Sequence, residues 1–203
     1  MSLVKRTYLY RWSFVFFLII GIAVPALADG PEEEIRQTTN KILSIVTDLA
    51  LKNPSREEER RRLVRKAVDE RFDWEEMSRR SLARYWDLRT DEEKKEFVRL
   101  YSDLLERTYM DKVEGYSGEK VTYEGESVDN GYAVVKVKVV TKENTGIHVH
   151  YGLNKKGNKW LVYDVSVEGV SLVNNYRTQF NRIMLQSSYE NLIKRLRERV
   201  ELK

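Results

Sequence analysis

His148 and His150 are the two histidines of the chain, and they stand two residues apart in a run that alternates like a β-strand, so both project to one face. Such a pair can share a metal ion. Metal sites commonly take three or four protein ligands, however, and no third ligand lies near in sequence, so surface or partly buried histidines are the better reading and no metal or other cofactor is expected. The chain has no cysteine, which excludes disulfides, thiolate metal sites, a cysteine nucleophile and attachment through a lipidated N-terminal cysteine. Asp164 and Glu168 close a strand-like run and have the chemistry of an acid–base carboxylate pair, yet no neighbouring motif identifies a substrate, and a structural role at the strand exit is favoured. No serine sits in a nucleophile elbow, and no glycine-rich phosphate loop occurs. Arginines crowd the stretch from Arg56 to Arg89 and could meet phosphate headgroups. Glu57, Glu58, Glu59, Asp69, Glu70, Asp73, Glu75 and Glu76 are interleaved with them, which is the pattern of a solvated, salt-bridged helix surface. No catalytic residue is assigned, and the chain is read as a non-enzyme.

The elements that must position any site begin after a leader. Lys5, Arg6 and Arg11 precede the apolar run Trp12 to Val24, and Ala26-Leu27-Ala28 supplies the small residues that a signal peptidase reads, so residues 1–28 are expected to be a cleaved secretory signal peptide. A run of about 13 apolar residues is shorter than the roughly 20 that a helix needs to cross a bilayer. Without Lys5, Arg6 and Arg11, the 36 basic residues of the chain fall to 33 against 32 acidic ones, a formal charge of +1. That near-neutrality offers no basic field for nucleic acid. The 203 residues are 41% hydrophobic and 33% charged with only 3 Pro and 10 Gly, so residues 29–203 are expected to form one globular domain.

Helical spacing of Ile35, Ile42, Ile45, Val46 and Leu49 predicts a first helix running up to Asn53-Pro54. Ser55 with Glu58, Asp73 with Glu76 and Thr90 with Glu93 read as capping boxes that open three more helices. The last of these carries the broad apolar face Phe97, Leu100, Tyr101, Leu104, Leu105 and Tyr109. From about residue 119 the period becomes two, and turn signals at Asp129-Asn130-Gly131, Asn144-Thr145-Gly146 and Lys155-Lys156-Gly157-Asn158 divide the run into about four antiparallel strands, with Gly169 ending the sheet. Strict alternation in the last strand puts Trp160, Val162 and Asp164 on one face and Leu161, Tyr163, Val165 and Val167 on the other. Both faces are then largely apolar, which predicts helices or a ligand against one face and partial cover on the other. Two closing helices follow, and the whole reads as α+β.

Aromatic residues are present on helices and sheet alike: Tyr85, Trp86, Phe97, Tyr101, Tyr109, Tyr151, Trp160, Tyr163, Tyr176 and Phe180. Composition alone favours an ordinary core over a ligand cavity. The ordered stretch from Trp160-Leu161-Val162-Tyr163-Asp164 through Val165-Ser166-Val167-Glu168-Gly169-Val170-Ser171-Leu172-Val173 to Asn174-Asn175-Tyr176-Arg177-Thr178-Gln179-Phe180 resembles the signature of the MlaC, or toluene-tolerance, family of periplasmic phospholipid-binding proteins. Leu82-Ala83-Arg84-Tyr85-Trp86, Thr90, Phe97, Leu104-Leu105 and Tyr109 are similar to that family's usual run before its sheet, and the resemblance covers nearly all of residues 29–203. Two positions depart from the pattern and bear on local backbone geometry: Ala83, where the family often has glycine, and Ser187-Ser188, where a glycine is common between the last two helices.

The resemblance implies helices wrapped around a curved antiparallel sheet, enclosing a hydrophobic pocket for acyl tails with the headgroup near solvent. It also implies a periplasmic shuttle that carries phospholipid between an outer-membrane lipoprotein complex and an inner-membrane ABC transporter complex, and so maintains outer-membrane lipid asymmetry; a monomer suits such a shuttle. On the faces read above, the pocket wall is expected to comprise Trp86, Phe97, Tyr101, Leu104 and Leu105 from the long helix side, Val149, Tyr151, Val165 and Val170 from the sheet, and Val173, Tyr176 and Phe180 from the helix that follows. Arg177 is the candidate for a pocket-mouth or partner contact, against an ordinary helix-surface salt bridge. Two other readings stay open: a small-molecule enzyme on a similar cone-shaped α+β fold, with Asp164 and Tyr163 as its suspects, and an interaction module with a solid core.

Overall fold

A computed structural model describes residues 29–201, and the expected signal peptide, residues 1–28, lies outside the described residues. Four helices precede the sheet: α1 (Pro31–Thr47), α2 (Glu57–Asp69), α3 (Trp74–Leu82) and α4 (Asp91–Glu114). The strands are β1 (Lys120–Asp129), β2 (Tyr132–Val140), β3 (Gly146–Lys156), β4 (Lys159–Val167) and the two-residue β5 (Val170–Ser171), and α5 (Leu172–Gln186) and α6 (Tyr189–Glu201) close the chain. The five strands form one open antiparallel sheet in the order of the sequence, with six helices, an α+β fold.

Local chemistry sets the helix ends. Pro31 and three glutamates, Glu32, Glu33 and Glu34, start α1, where a missing N–H costs nothing and negative charge meets the helix dipole. The helix stops at Thr47, earlier than the apolar spacing suggests, because the Asp48 carboxylate accepts the Ala50 N–H at 2.8 Å and turns the chain. Leu49 is left 84% exposed. Ser55 does not cap α2: Asn53 accepts both the Ser55 N–H (3.0 Å) and its hydroxyl (2.9 Å) across a 3-10 turn. Asp73 caps α3 by accepting the Glu76 N–H, while the Glu76 carboxylate is held by Arg79 and Arg80. Thr90 and Glu93 form the full reciprocal box on α4.

The hairpin turns follow their glycine and asparagine signals. Asn130 (φ 46°) and Gly131 (φ 79°) join β1 to β2, and Glu168 (φ 48°) and Gly169 (φ 78°) make a second two-residue turn. Gly169 therefore turns the sheet instead of ending it, and β5 pairs Val170 with Val167. A bulge matters more. The β3–β4 register passes from Gly152 opposite Asp164 to Leu153 opposite Val162, so Tyr163 is an extra residue. Val162 and Val165, three apart, consequently share the inner face, which strict alternation had assigned to opposite sides. Tyr163 points outward, its ring edge-on to Tyr132 at 5.9 Å and covered by the Arg80 guanidinium at 3.9 Å.

The N-terminal half of the β4 edge is closed by the chain before α3, where Asp73 N–H donates to the Val162 carbonyl (2.8 Å) and Val162 N–H to the Arg71 carbonyl (2.9 Å). Two buried carboxylates fix this junction. Glu34 meets Arg71, which also donates to the Trp160 carbonyl, and Asp73 accepts from Asn154 (3.1 Å) and Lys156 (2.7 Å). The interior then divides into three apolar clusters: a helical one among α3, α4, α5 and α6, one on the inner sheet face under Ile35, and one between α1, α2 and the end of α4.

Candidate functional site

Where those three clusters meet, the side chains do not close, and a cavity of about 420 Å³ remains. Its roof is α2 and the C-terminal half of α4, through Val64, Val68, Leu105, Tyr109, Met110 and Val113. Its floor is the inner sheet face, through Val139, Val149, Tyr151, Val165 and Val167. Phe72, Trp74, Met77 and Leu172 close the sides. Burial grades along it: Val64, Met77, Leu105 and Met110 are buried, whereas Lys112 and Val167 are exposed, so the opening lies at the end of α4 over the close of β4.

The lining is apolar apart from three charged residues and three aromatic ones with a polar tip, Trp74, Tyr109 and Tyr151. Arg65 bonds Asp69 (2.7 Å), Asp103 (3.1 Å), Ser102 (3.0 Å) and Glu106, and these carboxylates hold its guanidinium firmly protonated against the cost of burial. Burial, with a smaller effect from Tyr123, pushes the Tyr151 phenol up to about 12, and burial likewise raises Tyr109. Both rings thus present neutral hydroxyls over the ordinary pH range. Nothing in this wall supplies a nucleophile beside a base.

Of the residues expected at the wall, Leu105, Val149, Tyr151 and Val165 line the cavity. Phe97, Tyr101, Tyr176 and Phe180 do not, because they stack on one another: Phe97 and Tyr101 meet Phe180 edge-on at 5.5 and 5.4 Å, and Tyr101 meets Tyr176 at 5.2 Å. Trp86 and Val173 belong to the same solid helical cluster. Leu104 borders only a void of about 60 Å³ beside α6. Val170 is 59% exposed on β5, and Arg177 is exposed on α5, outside the lining.

The earlier suspects for chemistry are held in structural bonds. Asp164 accepts the Ser171 hydroxyl (2.6 Å) and the Val173 N–H (3.1 Å), anchoring the start of α5, and the Glu168 carboxylate accepts the His148 N–H. His148 lies on the outer sheet face with Nδ1 3.3 Å from Glu124. Among the described residues there is no cluster of histidine and acidic residues able to hold a metal ion, and no helix is long and apolar enough to cross a membrane.

A family model described as MlaC protein matches residues 36–198, nearly the whole described chain. The chain belongs to the MlaC family. One curated member, the intermembrane phospholipid transport system binding protein MlaC of Haemophilus influenzae, is 25% identical over 122 residues, covering 58% of this chain and 57% of its own. The chain thus aligns with a little over half of that relative's length. A solved phospholipid-binding protein from Ralstonia solanacearum, in complex with a phospholipid, superposes with a TM-score of 0.76 at 23% identity, covering 85% of this chain and 97% of that one, and so shares the fold.

Within this MlaC-family fold, the signature stretch from Trp160 to Phe180 makes part of the floor of the cavity, through Val165 and Val167, and the anchor of α5, not the whole wall. Met110, Val113 and Val64 continue stripes already visible on α2 and α4, so their apolarity was legible. Periodicity could not say which half of α4 is covered by other helices and which half overhangs the sheet. Phe72 carries no periodic signal, since it sits where one helix gives way to the next.

Proposed function

We propose that this protein is a periplasmic phospholipid carrier that takes acyl tails into the cavity between α2, α4 and the sheet. On this reading it passes lipid between an outer-membrane lipoprotein complex and an inner-membrane ABC transporter complex. The observation that carries the reading is the apolar cavity itself, open at one end and without a catalytic constellation. At about 0.8 kcal/mol per methylene, exposing the roughly 30 methylenes of two tails costs about 24 kcal/mol in water, so a lipid crosses an aqueous space only if shielded. The wall need only match the bilayer in apolarity, which leaves exchange near balance and lets the partners set direction. A cavity of about 420 Å³ that is open at one end has room for acyl chain.

The deciding experiment is native mass spectrometry of protein purified without detergent from an exporting host, with extraction and identification of bound lipid, on wild type and two variants. Val165→Phe places a ring in the cavity and is expected to lower lipid occupancy at least tenfold with little loss of stability. Phe97→Ala opens the solid helical core, and is expected to cost about 3–5 kcal/mol while retaining lipid. A wild type that stays free of lipid after incubation with phospholipid vesicles would remove the carrier reading.

A further inference from the structure

The lining of the cavity contains three charged residues, and their bonding leaves one charge over. Arg65 and Glu106 bond to each other, and Arg65 is further surrounded by Asp69 and Asp103. Lys112 has no carboxylate within 4 Å among the described residues. Lys112 lines the cavity, its ammonium lies 5.9 Å from the centre of the Tyr109 ring one turn earlier on α4, and the residue is exposed at the open end. The residue therefore places a positive charge at the rim beside one aromatic ring. Two nearby carboxylates do not offset it, because Glu114 is engaged by Arg60 and Arg61 and Asp111 by Arg61.

A cation without a direct carboxylate partner at the mouth of an apolar cavity fits an amphiphile whose tail ends in an anionic group. We infer that Lys112 binds the phosphate of the lipid headgroup and so orients the lipid, tails inward along α4 and phosphate at the C-terminal end of that helix. This assignment rests on the carrier reading and deepens it. The C-terminal end of α4 carries partial negative charge, which by itself would repel phosphate. Lys112 supplies the attraction there. The phosphate remains partly hydrated, so the contact steers and orients instead of dominating affinity.

The test uses soluble lipids with identical tails: dioctanoyl-phosphatidylglycerol, which has the phosphate, and dioctanoylglycerol, which lacks it, titrated into delipidated protein at low and high salt. Wild type is expected to prefer the phospholipid, with the preference falling as salt rises. Lys112→Met, which keeps the apolar stem, is expected to weaken phospholipid binding about fivefold and leave dioctanoylglycerol binding unchanged, and Lys112→Arg is expected to restore the preference. Equal binding of the phospholipid by wild type and Lys112→Met would overturn the assignment while the carrier reading stands. Lys112 dependence seen with dodecanoate but not with the phospholipid would also overturn it, giving the site to a fatty-acid carboxylate. Absence of binding to either dioctanoyl lipid would remove both the assignment and the carrier reading on which it rests.

Discussion

Ala83 holds φ 51° and ψ −127° at the C-cap of α3, a conformation in which an L side chain crowds its own backbone. It is also one of the two places where the sequence was expected to depart from the family pattern, so that expected departure falls on a strained residue. Ala83→Gly is expected to raise stability by about 1 kcal/mol, the relief of strain exceeding the added freedom of the unfolded chain, and urea denaturation would show it as a higher midpoint at unchanged slope. Asp164 has the opposite character. It bonds the Ser171 hydroxyl and the Val173 N–H and places negative charge at the start of α5. Asp164→Ala is expected to cost about 2 kcal/mol, since two donors at the helix start lose their acceptor, with lipid occupancy per folded molecule maintained. Loss of lipid at full stability would assign Asp164 to the site instead of the scaffold.

At the scale of elements, the roof of the cavity is joined by charge. Arg60, Arg61 and Arg65 on α2 reach Asp103, Glu106, Asp111 and Glu114 on α4, while the apolar side chains beneath them, Val64, Val68, Leu105 and Tyr109, face the cavity. The arginine-rich run interleaved with acids is thus a salt-bridged helix surface, with part of its pairing reaching a helix some forty residues on. Partly buried pairs of this kind lie between the negligible exposed pair and the costly buried one. Arg65→Met is expected to lower stability by about 1–2 kcal/mol and to reduce the salt dependence of the unfolding midpoint, measured by thermal melts at low and high ionic strength. On the floor, the bulge at Tyr163 rotates the end of β4 so that Val165 and Val167 join Val162 on the inner face. Without that extra residue, β4 would turn these two valines away and leave the cavity without two of its five floor residues.

For the whole molecule, acid and base act through different groups. Glu76, bonded first by Arg79 and then by Arg80, and Glu119, bonded by the Ser117 N–H and hydroxyl, are held below the ordinary carboxylate value of 4.5, Glu119 at about 2. Below about pH 4.5 the unfolded chain therefore takes up protons that the fold refuses, and stability falls progressively as pH drops toward 2. The tyrosines work at the other end: burial raises Tyr101, Tyr109 and Tyr189 and brings Tyr151 to about 12, against an ordinary value of 10. Above pH 10 the unfolded chain gives up those protons first, so stability falls again as pH rises. The expected result is a broad plateau of melting temperature between about pH 5 and 9 with a decline on both sides. Lipid adds to this by mass action: at a free lipid concentration 100 times its Kd the gain is about 2.7 kcal/mol, and the loaded protein is expected to melt about 5–10 °C above the delipidated one in calorimetry.

What the sequence determined by itself were the features that local chemistry controls. The capping box of Thr90 and Glu93, the turns at Asn130-Gly131 and Gly157-Asn158, the apolar stripe of α4 and the α+β order follow from short-range hydrogen bonding and periodicity. The ordered run from Trp160 to Phe180 was enough to point to the family. The tertiary structure decided the site. Phe97, Tyr101 and Leu105 lie on one helical stripe, and only the placement of α5 and α6 over the N-terminal half of α4 packs the first two solid and leaves Leu105 at a cavity. Likewise only the β3–β4 register makes Tyr163 an extra residue, because a bulge is a property of two paired strands and not of either alone. A cavity is space that three packed clusters fail to fill, and its boundaries are set by how far apart those clusters are held.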